Sequence, residues 1–205
     1  MPKYSHAFIP EPHSDDLVSE TIDPVVALNF INGIIDGRYP DLGGHQQRMR
    51  KNTISFARLI GLSLEESEFL AIGAGMHDIG KLHISDYIIN KPSQLTTSEF
   101  LLIRQHAEIG CRLLSPLNLD PRITDIVLYH HENYDGSGYP KGLSGDEIPL
   151  LARAVRILDS YDALIESRPY HKGVATDEAL LIMRRDSQQY DPHLLKLFGE
   201  IKFAG

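Results

Sequence analysis

Apolar positions recur along the chain at helical spacing. From Val25 onward, Leu28, Ile31, Ile34 and Ile35 form one stripe, interrupted at Gly37 and Pro40. A second helix is predicted from about Gly44 to Ile60, closed by Gly61. Ser63-Leu64-Glu65-Glu66 is a capping box, in which hydroxyl and carboxylate each satisfy a backbone N–H, and it predicts a third helix running towards Asp78. Residues 82–95 show no period. Thr96 and Glu99 form a second box, opening a helix to about Leu114. Pro121 suits the first turn of a helix reaching His131, since that position needs no N–H donor. Residues 133–148 read as a long loop, and Pro149 opens a helix through Leu164. Two more helices are predicted at 175–186 and 192–203, the latter with Asp191 as cap and Pro192 in its first turn. No run alternates with the period of a strand, and there are no repeats. The expected class is all-α, a helical bundle.

A chain of 205 residues suggests one domain. Residues 1–23, with the acids Glu11, Asp15, Asp16, Glu20 and Asp23, are expected to be a flexible lead-in or linker remnant, and 24–205 the catalytic domain. The net charge of −8 argues against binding a DNA or RNA polymer. Bound divalent cations would reverse that sign locally, so an anionic substrate stays open. A single cysteine, Cys111, excludes an internal disulfide and fits a reducing compartment; it reads as a packed apolar residue rather than a catalytic thiol. There is no apolar run of about 20 residues and no signal-peptide pattern at the start. A cytoplasmic protein is expected, unless the chain is a piece of a larger membrane receptor.

The chemistry-bearing residues sit in two stretches. One is His130-His131-Glu132-Asn133-Tyr134-Asp135-Gly136-Ser137-Gly138-Tyr139-Pro140; the other is His77-Asp78-Ile79-Gly80-Lys81. Histidine and aspartate both bind borderline divalent metals, and a carboxylate can bridge two of them. Lys81 shares a helical face with His77 and Asp78. Taken alone, the His-Asp pair reads as readily as a hydrogen-bonded pair near a helix end, and any one histidine as a satisfied core residue. As a set, His45, His77, His106, His130 and His131, with Asp78 and Asp159, supply what a multi-metal site needs. His83, His171 and His193 are weaker candidates; His6 and His13 read as bystanders. Gly136 and Gly138 permit positive φ and close backbone approach to a ligand. Tyr139 would then project from a defined turn, either to meet a base or phosphate or to hold the loop. Lys81 would neutralise phosphoryl charge, pair with Asp78, or do both.

These motifs resemble the HD-GYP family, a branch of the HD phosphohydrolases that hydrolyses cyclic di-GMP. The match runs in order through Gly43-Gly44-His45 with Arg48, His77–Lys81, Lys91-Pro92 with Leu95-Thr96 and Glu99, Arg104-Gln105-His106 with Gly110, the whole 130–140 run, Asp159–Leu164 and Arg168-Pro169-Tyr170. The resemblance implies a buried site of two or three divalent ions, iron or manganese. His45, His77, Asp78, His106, His130, His131 and Asp159 would be the ligands, with Asp78 bridging. Asp41 stands where three-ion members carry a glutamate, which makes it a candidate ligand one methylene shorter. Arg168 corresponds to a phosphate-contacting arginine; His171 replaces a further basic residue, and Lys172 is placed to compensate. With Gly138, Tyr139 and Pro140 these form the expected substrate contacts. The resemblance also implies a partner surface for a cyclase-type or regulatory domain at the Gly-Tyr-Pro loop, and allows a homodimer.

The expected activity is hydrolysis of cyclic di-GMP to pGpG, with further cleavage to GMP left open. A hydroxide bridging two cations attacks phosphorus, and Asp78 and Lys81 serve as catalytic groups. The alternatives are an HD-type hydrolase of another cyclic dinucleotide or phosphoester, and a non-enzymatic signalling module of the same fold.

Overall fold

The computed structural model describes residues 22–38, 49, 52–166 and 173–201. Ten helices lie among them: α1 (Pro24–Arg38), α2 (52–59), α3 (Leu64–Met76), α4 (Asp86–Ile89), α5 (Thr97–Arg104), α6 (His106–Leu114), α7 (Pro121–Tyr129), α8 (Leu150–Ile165), α9 (Thr176–Arg185) and α10 (Pro192–Phe198). No strand occurs among the described residues, so the all-α class holds. No helix among them is long and apolar enough to cross a membrane. The first 21 residues of the expected lead-in, together with Asp41, His45, Arg168, His171 and Lys172, lie outside the described residues.

Two apolar clusters flank α3 and α7. Phe56, Leu70, Ala74, Ile126, Leu158, Tyr161 and Phe198 belong to one. Leu28, Ile31, Ile35, Ile72, Met76, Ile123 and Val127 belong to the other. Both central helices therefore bury two sides. Gly73 lets them close up: a Cβ there would stand 2.4 Å from Ile126 Cδ1. This matters for function because His77-Asp78 and His130-His131 directly follow these two anchored helices.

Both capping boxes form as read, at Ser63/Glu66 and Thr96/Glu99. Four expectations change. The helix expected over 96–114 is two helices, because the Gln105 N–H bonds to Leu102 O, one residue tighter than the α pattern. α5 has no buried residue, whereas α6 buries His106, Ala107, Gly110 and Leu114; the bend lets one part sit on the surface and the other in the core. The aperiodic stretch 82–95 contains the short α4. The last helix stops at Phe198, where Glu200 and Ile201 turn back onto the carbonyls of Leu197 and Phe198. Ile34, counted in the first stripe, is 43% exposed while Leu28, Ile31 and Ile35 are buried.

Cys111 is partly buried on α6, with its thiol donating to Thr124 O at 3.3 Å. Burial, aided by Asp125 and Glu108, pushes the thiol up to about 11. Thiolate is the reactive form, so two units of elevation reduce reactivity about a hundredfold near pH 8. Iodoacetamide should therefore label the native protein about a hundredfold more slowly than the urea-unfolded chain. Equal rates in the two states would contradict this packing.

Candidate metal centre

Three short chain segments and one helix converge on a single point. His77 caps the end of α3, and Asp78 starts the tight turn Ile79–His83. His106 opens α6, His130 and His131 follow α7, and Asp159 projects from within α8. Ligand atoms of Asp78, His106, His130 and His131 all lie within 4.8 Å of one another. His77 Nε2 joins them, 3.5 Å from Asp78 Oδ2 and 3.7 Å from Asp159 Oδ1. Six of the seven residues implied as ligands are thus brought together; His45, like the candidate Asp41, lies outside the described residues.

The way the rings are held suits metal ligation. His77 Nδ1 is 2.7 Å from Ala74 O, His106 Nδ1 2.7 Å from Ile103 O, and His130 Nδ1 2.9 Å from Val127 O. Each imidazole is fixed by a carbonyl three residues back in its own chain. An Nδ1–H donated to a carbonyl leaves Nε2 as a bare lone pair, the arrangement typical of metal-binding histidine. His106 Nε2 and His130 Nε2 then face each other at 3.1 Å, two acceptors in contact. Asp78 Oδ1 is buried without a hydrogen-bond donor, and His106 Nε2 stands 3.4 Å from it. Buried acceptors turned on one another are costly unless a shared cation satisfies them. The donor set, imidazole nitrogen plus carboxylate oxygen, fits a divalent ion of the borderline class.

The electrostatics agree. Burial drives His130 and His131 below the ordinary histidine range, His131 to about 3, and lowers His106 as well. Burial therefore favours the neutral form of these three rings. His77 behaves oppositely. Burial opposes its charged form, but Asp78 and Asp159 outweigh it and raise the ring to about 9. Asp78 is buried too, yet Lys81 and the surrounding histidines hold its carboxyl well below the usual range. Two ionised carboxylates thus make this the place where positive charge collects.

Lys81 Nζ lies 2.5 Å from Asp78 Oδ2. The two residues are joined by a 3-10 turn rather than a helix, and three residues per turn stacks them directly. Gly80, between them, is pressed against α6: a Cβ there would sit 1.9 Å from His106 O and 2.7 Å from Gly110 N. The glycine is what allows Asp78 and His106 to share the site.

The connection from His130 to Pro149 is held by hydrogen bonds within itself. Gly136 has φ +81°. Gly138 leaves no room for a side chain: a Cβ would meet Asn133 N at 2.2 Å and His131 O at 2.5 Å. Gly136 takes the positive φ expected of it, whereas the close approach at Gly138 is to the chain itself and not to a ligand. The Tyr139–Pro140 bond is cis. The Tyr139 ring stacks on His131, with centroids 4.7 Å apart and planes 25° apart, and the Arg104 guanidinium lies 4.4 Å from the Tyr139 centroid. The ring therefore supports His131. Burial raises its phenol, so the hydroxyl stays protonated and able to donate.

Three contributors escaped the sequence reading. Glu132 is buried and accepts backbone N–H groups from Lys141, Gly142 and Leu143 at 2.6, 3.1 and 3.1 Å. Arg156 reaches Asn133, Ser160 and Gln189, tying the loop to α8. Arg104 reaches over Tyr139. The residues quoted for the family motif include Arg104, but nothing in their spacing shows what any of the three touches.

A family profile described as an HD domain matches residues 29–194. A Pseudomonas aeruginosa protein named cyclic di-GMP phosphodiesterase is 43% identical over 192 residues, 91% of this chain and 46% of its own length. A Vibrio cholerae protein named 3′3′-cGAMP-specific phosphodiesterase 3 is 36% identical, over 75% of this chain and 33% of its own. The chain spans less than half the length of these relatives. Among solved structures, an HD-GYP-type protein from Bdellovibrio bacteriovorus superposes with a TM-score of 0.65 at 20% identity, covering 86% of this chain and 61% of that one. The HD domain of a Listeria monocytogenes phosphodiesterase, in complex with cyclic di-AMP, gives 0.59 at 21% identity, covering 82% and 91%. At these identities the structural likeness speaks to the fold alone.

Proposed function

The chain belongs to the HD domain family, and from that premise we propose that it is a metal-dependent phosphodiesterase hydrolysing cyclic di-GMP to pGpG, with GMP as the product of any second cleavage. The observation that carries this reading is the convergence of His77, Asp78, His106, His130, His131 and Asp159, with lone pairs and carboxylates turned inward. The 43% identity to a relative named for that activity supports the choice of substrate. We take these residues to hold two ions, iron or manganese. His45 would complete the set, and Asp41 would add a third ion.

Bound cations supply an acidified water and neutralise phosphoryl charge. The chain's own groups do the rest. Nδ1 contacts to carbonyls fix the orientation of three rings, so they need not swing into place when substrate arrives. Asp78 stays ionised and sits at the centre of the ligand set. Lys81 places a positive charge beside Asp78, where it meets charge developing on the phosphoryl oxygens. The Tyr139 hydroxyl donates to a phosphate oxygen, and Gly138 and Pro140 set its position. Arg168 and Lys172 are the further phosphate contacts. We place the protein in the cytoplasm, where this substrate class occurs, with the Gly-Tyr-Pro loop as a surface for a cyclase-type or regulatory partner and homodimer formation as a further assembly.

The test is turnover of cyclic di-GMP by protein loaded anaerobically with iron or manganese, with metal counted in the same sample. Hydrolysis to pGpG with two or three ions per chain is the expected result, and chelation should abolish it. A second reading, specificity for cyclic GMP-AMP, is favoured by the relatives named for that substrate. Faster turnover of the mixed dinucleotide would select it. Full metal loading with no hydrolysis of either would overturn both.

A further inference from the structure

Among the described residues, four cationic side chains build or border the centre, and three of these are committed within the protein. Lys81 pairs with Asp78, Lys141 with Glu108 at 3.3 Å, and Arg156 with Asn133, Ser160 and Gln189. Arg104 differs. Its guanidinium lies over the rings of Tyr139 and Phe100, 4.4 and 5.8 Å from their centroids. No carboxylate, carbonyl or hydroxyl among the described residues accepts from it. Ring faces hold a guanidinium by its flat side and leave its edge N–H groups pointing outward. The side chain is partly exposed, at the C-terminal end of a helix with no buried residue. It is thus oriented by the site yet has no acceptor of its own.

A cyclic dinucleotide carries two phosphodiester anions. The metal ligands and Lys81 account for the one that is cleaved. The other is a second anion that a further cation beside Arg168 and Lys172 can hold, and a planar fork of N–H donors matches two phosphoryl oxygens. We infer that Arg104 is the contact for the second, uncleaved phosphodiester, held in place by the Tyr139 ring. This rests on the phosphodiesterase reading and is separate from the roles given to Arg168 and Lys172. It also gives Tyr139 a use besides its hydroxyl: its ring is the platform that aims Arg104.

The experiment compares wild type with Arg104→Gln and Arg104→Lys, all metal-loaded, on cyclic di-GMP and on bis-p-nitrophenyl phosphate. The latter is a diester with one phosphate, so it has nothing to place at Arg104. Arg104→Gln should raise KM for cyclic di-GMP by about tenfold or more and leave kcat within about threefold, the size expected for a charge-assisted contact. Turnover of the one-phosphate diester should fall far less than that of cyclic di-GMP. Arg104→Lys keeps the charge without the fork and should fall between the two. An unchanged KM for cyclic di-GMP in Arg104→Gln would overturn the inference, as would an equal loss on both substrates, which is what mere support of Tyr139 predicts. A wild type that cleaves bis-p-nitrophenyl phosphate but no cyclic dinucleotide would instead sink the functional reading, and this assignment with it.

Discussion

Asp78→Asn is expected to cost about a thousandfold or more in hydrolysis and to strip metal from the protein. The carboxamide has nearly the same shape as the carboxylate, so helix packing should survive. What changes is charge and donor type. Asp78 faces His77 Nε2 at 3.5 Å and His106 Nε2 at 3.4 Å, and it pairs with Lys81. An amide group there brings N–H donors where the surrounding nitrogens need a cation, and it leaves Lys81 without its partner. Metal per chain, counted beside the far-ultraviolet circular dichroism spectrum and the rate, separates loss of the site from loss of the fold. Wild-type metal content with near-normal turnover would show that Asp78 is not central to the site.

The second large effect is structural. Gly80→Ala should destabilise the protein by about 3 kcal/mol, the upper end of ordinary overpacking. Its Cβ would stand 1.9 Å from a backbone oxygen, and backbone cannot rotate away as a side chain can. The turn carrying Asp78 and Lys81 must lift off α6, so metal affinity should fall with stability. Gly33→Ala is the matching control. A Cβ there meets nothing within 4 Å, and α1 is helical, so alanine should stabilise by about 0.5–1 kcal/mol. Urea unfolding of the two variants checks both signs. A Gly80→Ala protein as stable as wild type would mean the contact between turn and α6 is looser than described.

The fold was largely legible because local signals and burial agree. Ser63/Glu66, Thr96/Glu99 and Asp191 with Pro192 mark helix starts by chemistry that acts within four residues, and all three are present. The break at Gln105 was not legible. It is imposed by what the two halves pack against, and residues 97–104 form a sound helix by propensity alone. The site was legible in its residue types, because few side chains can bind a metal and the motif gathers most of them. Its supports were not. Nothing about Glu132 in the sequence says that it accepts three N–H groups from residues nine to eleven positions away, and it could as well have been taken for a ligand beside His131. Arg104 is similar: its partner Tyr139 is thirty-five residues along the chain, and only the folded loop brings them together.

Glu132 also bears on where the molecule yields. Proteases cut backbone that can be drawn out into an extended strand, and long connections are their usual entry points. The connection between α7 and α8 is long, yet its middle is pinned to a buried carboxylate that sits one residue past His131. Drawing it into a cleft would uncover that carboxylate and drag on His130 and His131. The vulnerable stretch is the arm formed by α4 and α5, neither of which buries a residue. A nick there would sever the chain ahead of His106 while leaving the 130–140 run intact.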